Sequence, residues 1–337
     1  ANYLLKHELN EKKLIQELEK VRKKLETGAK NKKIYQKYFT RQLIYNQVDT
    51  AEIEAGELGN RFFLVMIHRN DKFQNGKFKE IEWTAEEIME LAEVLEEDKD
   101  GISYVADVRL TINTVIILYQ IENITSKYMV SNMIERKCKE IEDRMKRIPG
   151  CQFNLIYSDE IRQNEISNIF QRMSRQIHYA VFWKPCRAYP LHRLRESEDE
   201  NKVAWNELMK ELSIMIYDGN QEWDHFITYL FEKVKYPEYN LGEFKELLHA
   251  LENLIRELEE KEGFVHKNMK EEGYRIEDIQ NYYVRCISHI YFELQQRKNK
   301  KYSRLIQEVM RYIRKNYNQE LSLEILGEEF QMNGVYL

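Results

Sequence analysis

Between residues 61 and 179, segments of strand character and helix character follow one another in a single order, and that order leaves few folds open. Arg61 to His68 reads RFFLVMIH, an apolar run of strand length and composition. Asp71 to Gly76 is polar and reads as a loop. Trp83-Thr84 opens an amphipathic helix through Leu95, with Thr84 as its cap and Glu87 as the box partner three residues on. Gly101–Val108 and Thr114–Gln120 read as strands joined by a hairpin near Leu110–Asn113. Thr125 or Ser126 starts a long helix to about Arg147, broken by Pro149-Gly150. Cys151–Tyr157 is a fourth strand, and Glu160–Tyr179 a further helix. The predicted order is β-α-β-β-α-β, a split arrangement that sets helices on one face of an antiparallel sheet.

Elsewhere helix dominates. With only 12 glycines and 4 prolines in 337 residues and 32% charged side chains, few positions can interrupt a helix, so the chain is expected to be α+β but mostly helical. Four apolar stripes at helical spacing predict a small bundle over residues 200–299. They are Val203, Leu208, Leu212, Met215 and Ile216; Phe226, Ile227, Leu230, Phe231 and Val234; Leu247 to Leu258; and Tyr283 to Leu294. The charged stretch Arg193–Asn201, preceded by Pro190, marks the boundary between a 31–190 α/β domain and this bundle. The bundle is rich in aromatics, which read as core at this spacing.

Residues 1–28 form a third segment. Leu14, Leu18, Val21 and Leu25 recur at spacings of four, three and four, the seam of a coiled coil, amid heavy mixed charge. A stripe on one such helix cannot bury itself. It packs on its own domain or pairs with a second copy, and a parallel two-stranded coil is the reading taken, which makes these four residues the dimerisation set.

The last segment, 300–337, carries a more specific pattern. Ile306, Val309, Met310 and Ile313 fall at helical spacing, with Tyr317 one turn on. Leu321-Ser322-Leu323 opens a second, shorter helix with Leu323, Leu326 and Phe330 on one face. After Gln331-Met332, Asn333 stands where a third helix would start. Helix, short helix, sharp turn and new helix is the layout of a helix-turn-helix reader. Asn316-Tyr317, Leu321-Ser322-Leu323, Leu326, Phe330, Met332, Tyr336 and Leu337 resemble the first half-domain of the AraC family of transcription regulators. Gly327 stands where that family usually has Ala, and Asn333 where it usually has Ser. The resemblance implies that the start of the reading helix, Asn333, Gly334 and Val335, contacts DNA bases. It also implies that most of the specificity lies beyond Leu337, since Gly334 and Val335 offer little hydrogen-bonding capacity.

The 31–190 order, with its central hairpin, looks like a GGDEF-type cyclase domain. Such an enzyme needs carboxylates for metal and triphosphate, and a Gly-Gly turn that admits the nucleotide to the backbone. Here His68 stands at the end of the first strand, where the family has its first metal-binding Asp. The hairpin reads Leu110-Thr111-Ile112-Asn113-Thr114, without a glycine pair or carboxylate, and Asp107 lies on the strand before the turn. The domain therefore reads as degenerate, and no enzyme, cofactor or metal site is expected. The chain is similar in layout to response regulators that run from a receiver through a coiled coil, a degenerate domain and a helical region to an AraC-type module. That resemblance implies a two-component phosphorelay, with a sensor histidine kinase acting on a receiver absent from this sequence.

The remaining features bound this reading. Net charge is −5, so a chain-wide basic footprint for nucleic acid is absent. The C-terminal stretch does turn basic, from Arg297 to Lys315, which suits DNA or a solvated helix face equally. Cys138, Cys151, Cys186 and Cys286 show no ligand or disulfide spacing and read as reduced thiols in a cytoplasmic protein. No apolar run approaches a membrane span. The eight histidines make no ligand-spaced pair, and nucleotide-loop and hydrolase motifs are absent from the sequence. The expectation is a fragment of a sequence-specific DNA-binding transcription regulator that relays and dimerises. The alternative is a ligand-sensing α/β regulatory module that binds a small molecule or nucleotide.

Overall fold

The computed structural model describes residues 31–47, 59–95, 101–194, 202–235, 239–264, 272–301, 304–317 and 321–330. The chain is α+β and divides into two units near residue 199, with Glu272–Ile276 belonging to the first.

The first unit is built on β1 (Phe62–Arg69). It is preceded by a helix, α1, over residues 31–44. A short antiparallel hairpin follows, β2 (Lys72–Gln74) and β3 (Lys77–Lys79), then α2 (Ala85–Leu95). Next come β4 (Ile102–Arg109), β5 (Thr114–Ile121) and α3 (Lys127–Met145). After these lie β6 (Phe153–Tyr157), α4 (Ile166–Gln176) and β7 (Arg187–Pro190). The large sheet runs β4-β5-β1-β6-β7. It is antiparallel from β4 to β6, with Val65 opposite Ile117 on one side and Tyr157 on the other. Its last pair is parallel, with Asn154 beside Arg187 and Tyr157 beside Pro190.

The expectation of helices on one face only is corrected here. Phe63, Val65 and Ile67 of β1 pack with Leu91 and Leu95 of α2 and with Ile134, Cys138 and Ile141 of α3. Phe62, Leu64 and Met66 face the other way, against Phe39, Leu43 and Ile44 of α1 and Ile166 and Met173 of α4. The reason is legible in β1: six consecutive apolar residues, all wholly buried, have no solvated side to offer.

The expected loop at Asp71–Gly76 is also corrected, since β2 and β3 occupy it. Asn75 and Gly76 both take positive φ (51° and 76°), which two-residue hairpin turns demand and Asn-Gly supplies at little cost. A third strand, β8 (Glu272–Gly273), pairs with β2 to give the small sheet β3-β2-β8. The helix expected over Glu160–Tyr179 is shorter, because tight three-residue-period turns at Gln163–Glu165 and Ile177–Phe182 flank α4.

Helix starts follow local chemistry. Thr84 Oγ1 accepts from Glu87 N at 3.2 Å while Glu87 Oε2 accepts from Thr84 N at 2.8 Å, the reciprocal cap of α2. Ser126 caps α3, so that of Thr125 and Ser126 the latter carries the start.

The second unit contains α5 (Trp205–Asp218), α6 (Trp223–Lys235), α7 (Leu241–Glu262) and α8 (Ile276–Lys301), followed by α9 (Arg304–Asn316) and α10 (Leu323–Glu329). Most of the α6 to α8 stripes is buried as expected, with Leu230, Phe231, Leu247, Leu251, Tyr283 and Ile287 wholly covered, while Phe226 and Val284, expected with them, are half-buried. On α5 the buried face is Trp205, Met209, Leu212 and Ile216, rotated from the expected one by Trp205. The Trp205 indole donates to Glu243 Oε2 at 2.7 Å, and this partner on α7 fixes which side turns inward.

Candidate functional site

The residues singled out at the sheet end lie at the C-terminal end of β1, beneath the β4–β5 hairpin. His68 stands there, opposite Thr114, with Nδ1 2.9 Å from Thr114 Oγ1. Burial first, and then the nearby charge of His178, pulls its pKa from 6.5 down to about 4. The imidazole is therefore neutral at physiological pH.

The hairpin turn above it is filled by its own side chains. Asn113 is buried and donates from Nδ2 to Asp71 Oδ1 at 2.7 Å. Its oxygen accepts from Thr111 Oγ1 at 2.6 Å and Thr114 Oγ1 at 3.2 Å. The turn's backbone is committed as well: Asn113 O accepts from Arg69 N at 2.8 Å and Ile112 O from Trp83 N at 3.2 Å. Beside it the buried Glu87 pairs with Arg69 at 2.5 Å. Burial, and then Glu80, raises the Asp71 carboxyl to about 6, against the lowering effect of Asn113.

Asp107 is drawn away from this end. It accepts from the Tyr104 hydroxyl and pairs with Lys37 of α1 at 3.0 Å. No group of three His, Cys, Asp or Glu side chains among the described residues could hold a metal ion. The four cysteines are free thiols, and burial raises Cys138, Cys151 and Cys286 above the usual thiol range. Chemically this sheet end is closed by hydrogen bonds that tie Asn113 to Asp71, Thr111 and Thr114.

A cleft of about 480 Å³ lies at the opposite end of the sheet, past the C-terminal ends of β6 and β7. Tyr157 and Ile161 line it with Lys127, Arg162 and Arg193. The carboxylates there are largely engaged: Asp159 with His192 at 3.0 Å, and Glu160 with Arg61 at 2.6 Å. Burial raises the Tyr157 phenol to about 12, so it stays a neutral hydrogen-bonding group.

The C-terminal helices form as expected from their sequence. Ser322 caps α10, its oxygen accepting from Ile325 N at 3.2 Å. Phe330 lies edge-on to Tyr312 of α9, ring centroids 5.6 Å apart, and Leu326 is buried. Leu323, expected on the same face, is 60% exposed. A two-turn helix presents only a narrow stripe to its neighbour, and here Leu326 and Phe330 occupy it. Gly327 is buried, where a glycine permits close packing.

The expected DNA-contacting residues Asn333, Gly334 and Val335 lie outside the described residues, as do the dimerisation residues Leu14, Leu18, Val21 and Leu25. Sequence reading missed the Asp71–Asn113 pair, whose only signal was a polar hairpin opposite a polar loop. It also missed the parallel strand β7. No described helix is long and apolar enough to cross a membrane. No protein-family model, curated protein or solved structure matches this chain.

Proposed function

We propose that this chain is the relaying and dimerising part of a sequence-specific DNA-binding transcription regulator of the two-component, AraC-type kind, working in the cytoplasm without catalysis. The observation that carries the reading is the α9–α10 pair: a basic helix, a Ser-capped two-turn helix, and Phe330 docked on Tyr312 just before the expected turn. The plug at Asn113 and the neutral His68 support a degenerate GGDEF-like domain in the middle. Pairing of the N-terminal helices into a homodimer would place two readers on two half-sites. A sensor histidine kinase would act through a receiver domain. The test is selection from a random duplex pool by the natural gene product that contains this chain. Recovery of one motif in two copies, about one helical turn apart or a multiple of it, is expected. A pool that stays random, or turnover of guanosine triphosphate by the protein, overturns the reading.

The cleft beyond β6 and β7 favours a second reading, a ligand-sensing module, because open sheets bind ligands at the carboxyl ends of parallel strands. A thermal-shift screen with small metabolites separates the two, since a ligand that binds only the folded state raises Tm.

A further inference from the structure

A groove of about 530 Å³ opens in the second unit between the C-terminal half of α8 and the middle of α9. Phe292 and Gln296 line it from α8, and Met310, Arg311 and Arg314 from α9. Tyr291 is held in its wall by donating to Gly219 O at 2.9 Å. Gly219 itself ends α5 at φ 75°, a left-handed conformation that suits glycine. Lys298 closes the groove, its ammonium donating to Tyr217 O.

Two properties set this groove apart from an ordinary solvated surface. Among the described residues its lining holds three cationic side chains and no carboxylate, in a chain with 57 acidic residues against 52 basic ones. Arg311 and Arg314 are exposed and make no ion pair among the described residues. The second property is Phe292, a large ring that is 61% exposed at the edge of this cationic lining. An uncovered aromatic face beside unpaired guanidinium groups recognises a flat ring that carries negative charge. The ring stacks on Phe292, and the anion takes the planar donor fork of arginine. The volume falls within the roughly 300–1,000 Å³ range of small-molecule sites.

We propose that the α8–α9 groove binds a small planar anion, an aromatic ring bearing a phosphate or carboxylate, with Phe292 stacking on the ring and Arg311 and Arg314 pairing with the charge. The Gln296 amide supplies a donor and an acceptor for the polar edge of the ring. A molecule held in this way bridges α8 and α9, and so limits the freedom of the segment that leads into α10. The site is independent of the DNA-reading proposal, because none of its residues belongs to the expected base-contacting set.

The test is calorimetric titration of the full chain with phenyl phosphate and with 4-hydroxybenzoate, each against its uncharged ring, phenol, and the first also against inorganic phosphate. At least one of the two anionic ring compounds is expected to saturate the protein with Kd below roughly 1 mM, and its comparison compounds to bind at least roughly tenfold more weakly. Which of the two binds distinguishes phosphate from carboxylate recognition. The double variant Arg311→Gln, Arg314→Gln is expected to weaken binding by roughly tenfold or more, and Phe292→Ala by a comparable factor. Arg256→Gln, an exposed arginine on α7, should leave it unchanged. All four positions are exposed, and circular dichroism verifies that the variants fold. Absence of saturable binding by both compounds, equal binding of phenol and phenyl phosphate in the phosphate arm, or undiminished binding by the double arginine variant overturns the proposal.

Discussion

The Asn113 carboxamide donates to Asp71 Oδ1 at 2.7 Å and so ties the β4–β5 turn to the residue that leads from β1 into the small sheet. The Asn113 side chain fills the space beneath the turn, and among the described residues the carboxylate it touches, Asp71, is half-buried and tied to it. The turn is thus held over the strand end by side-chain hydrogen bonds of its own.

Asp71 is predicted to weaken the fold at neutral pH. Burial lifts its pKa from 3.8 to about 6, so the folded state holds its proton more tightly than the unfolded chain. Its contribution is therefore present below pH 3.8 and lost as pH rises through 6. Asp71→Asn keeps an oxygen for Asn113 and removes the charge. Urea unfolding at pH 7 should show a gain of about 1 kcal/mol, discounted for partial solvent exposure. A loss of stability at pH 7 would count against a charged Asp71.

His68 carries the opposite slope. Its pKa falls from 6.5 to about 4 because burial, and then His178, disfavours the imidazolium. Stability is full above pH 6.5 and is lost as pH falls through 4. His68→Gln retains a partner for Thr114 and cannot take up a proton. Its unfolding free energy from urea titration should fall less than that of the parent between pH 7 and pH 4.5, a difference on the order of 2 kcal/mol. Parallel pH profiles for the two proteins would remove the assignment.

Glu87 is expected to be one of the costliest charges to delete in the first unit. It is 4% exposed, pairs with Arg69 at 2.5 Å and completes the α2 cap through Thr84 N at 2.8 Å. Glu87→Ala leaves the Arg69 guanidinium partly buried without its carboxylate and opens the cap, with an expected loss of roughly 3 kcal/mol or more. Chemical denaturation measures this, and a loss below about 1 kcal/mol, the scale of an exposed pair, would show the charges to be solvated.

Ser322→Ala should loosen α10 locally. The Ser322 oxygen accepts from Ile325 N at 3.2 Å, and a seven-residue helix has little else to hold its first turn. A loss of about 1 kcal/mol is expected. Amide exchange at Ile325 and Leu326 should quicken, while that of α7 stays as it was. Unchanged exchange at both positions would mean that Leu326 and Phe330 alone secure the helix.

Light scattering tests the proposed coil. The full chain is expected to be a dimer, and a version beginning at Asn31 a monomer. If both are monomers, the Leu14–Leu25 seam packs on its own domain and the relay proposal loses its device.

What the sequence determined by itself was local. The caps at Thr84, Ser126 and Ser322 need partners within three residues, so they could be read directly. The apolar stripes of α6, α7 and α8 likewise follow from helical period alone. At the sheet end, His68 and the 110–114 hairpin were legible as residues, but their closure by Asp71 was not, since it joins positions 42 apart. Asn75-Gly76 carried a hairpin signal that the short flanking strands, three residues each, made easy to read as a loop. Only the tertiary structure decided that helices cover both faces of the large sheet, that β7 lies parallel to β6, and that Glu272 comes back to pair with Gln74. It also decided which side of α5 turns inward, through one bond from Trp205 to Glu243, and brought Phe292 beside Arg311 and Arg314. Period and capping are properties of neighbouring residues, whereas strand partners, covered faces and grooves depend on which distant surfaces exclude water together.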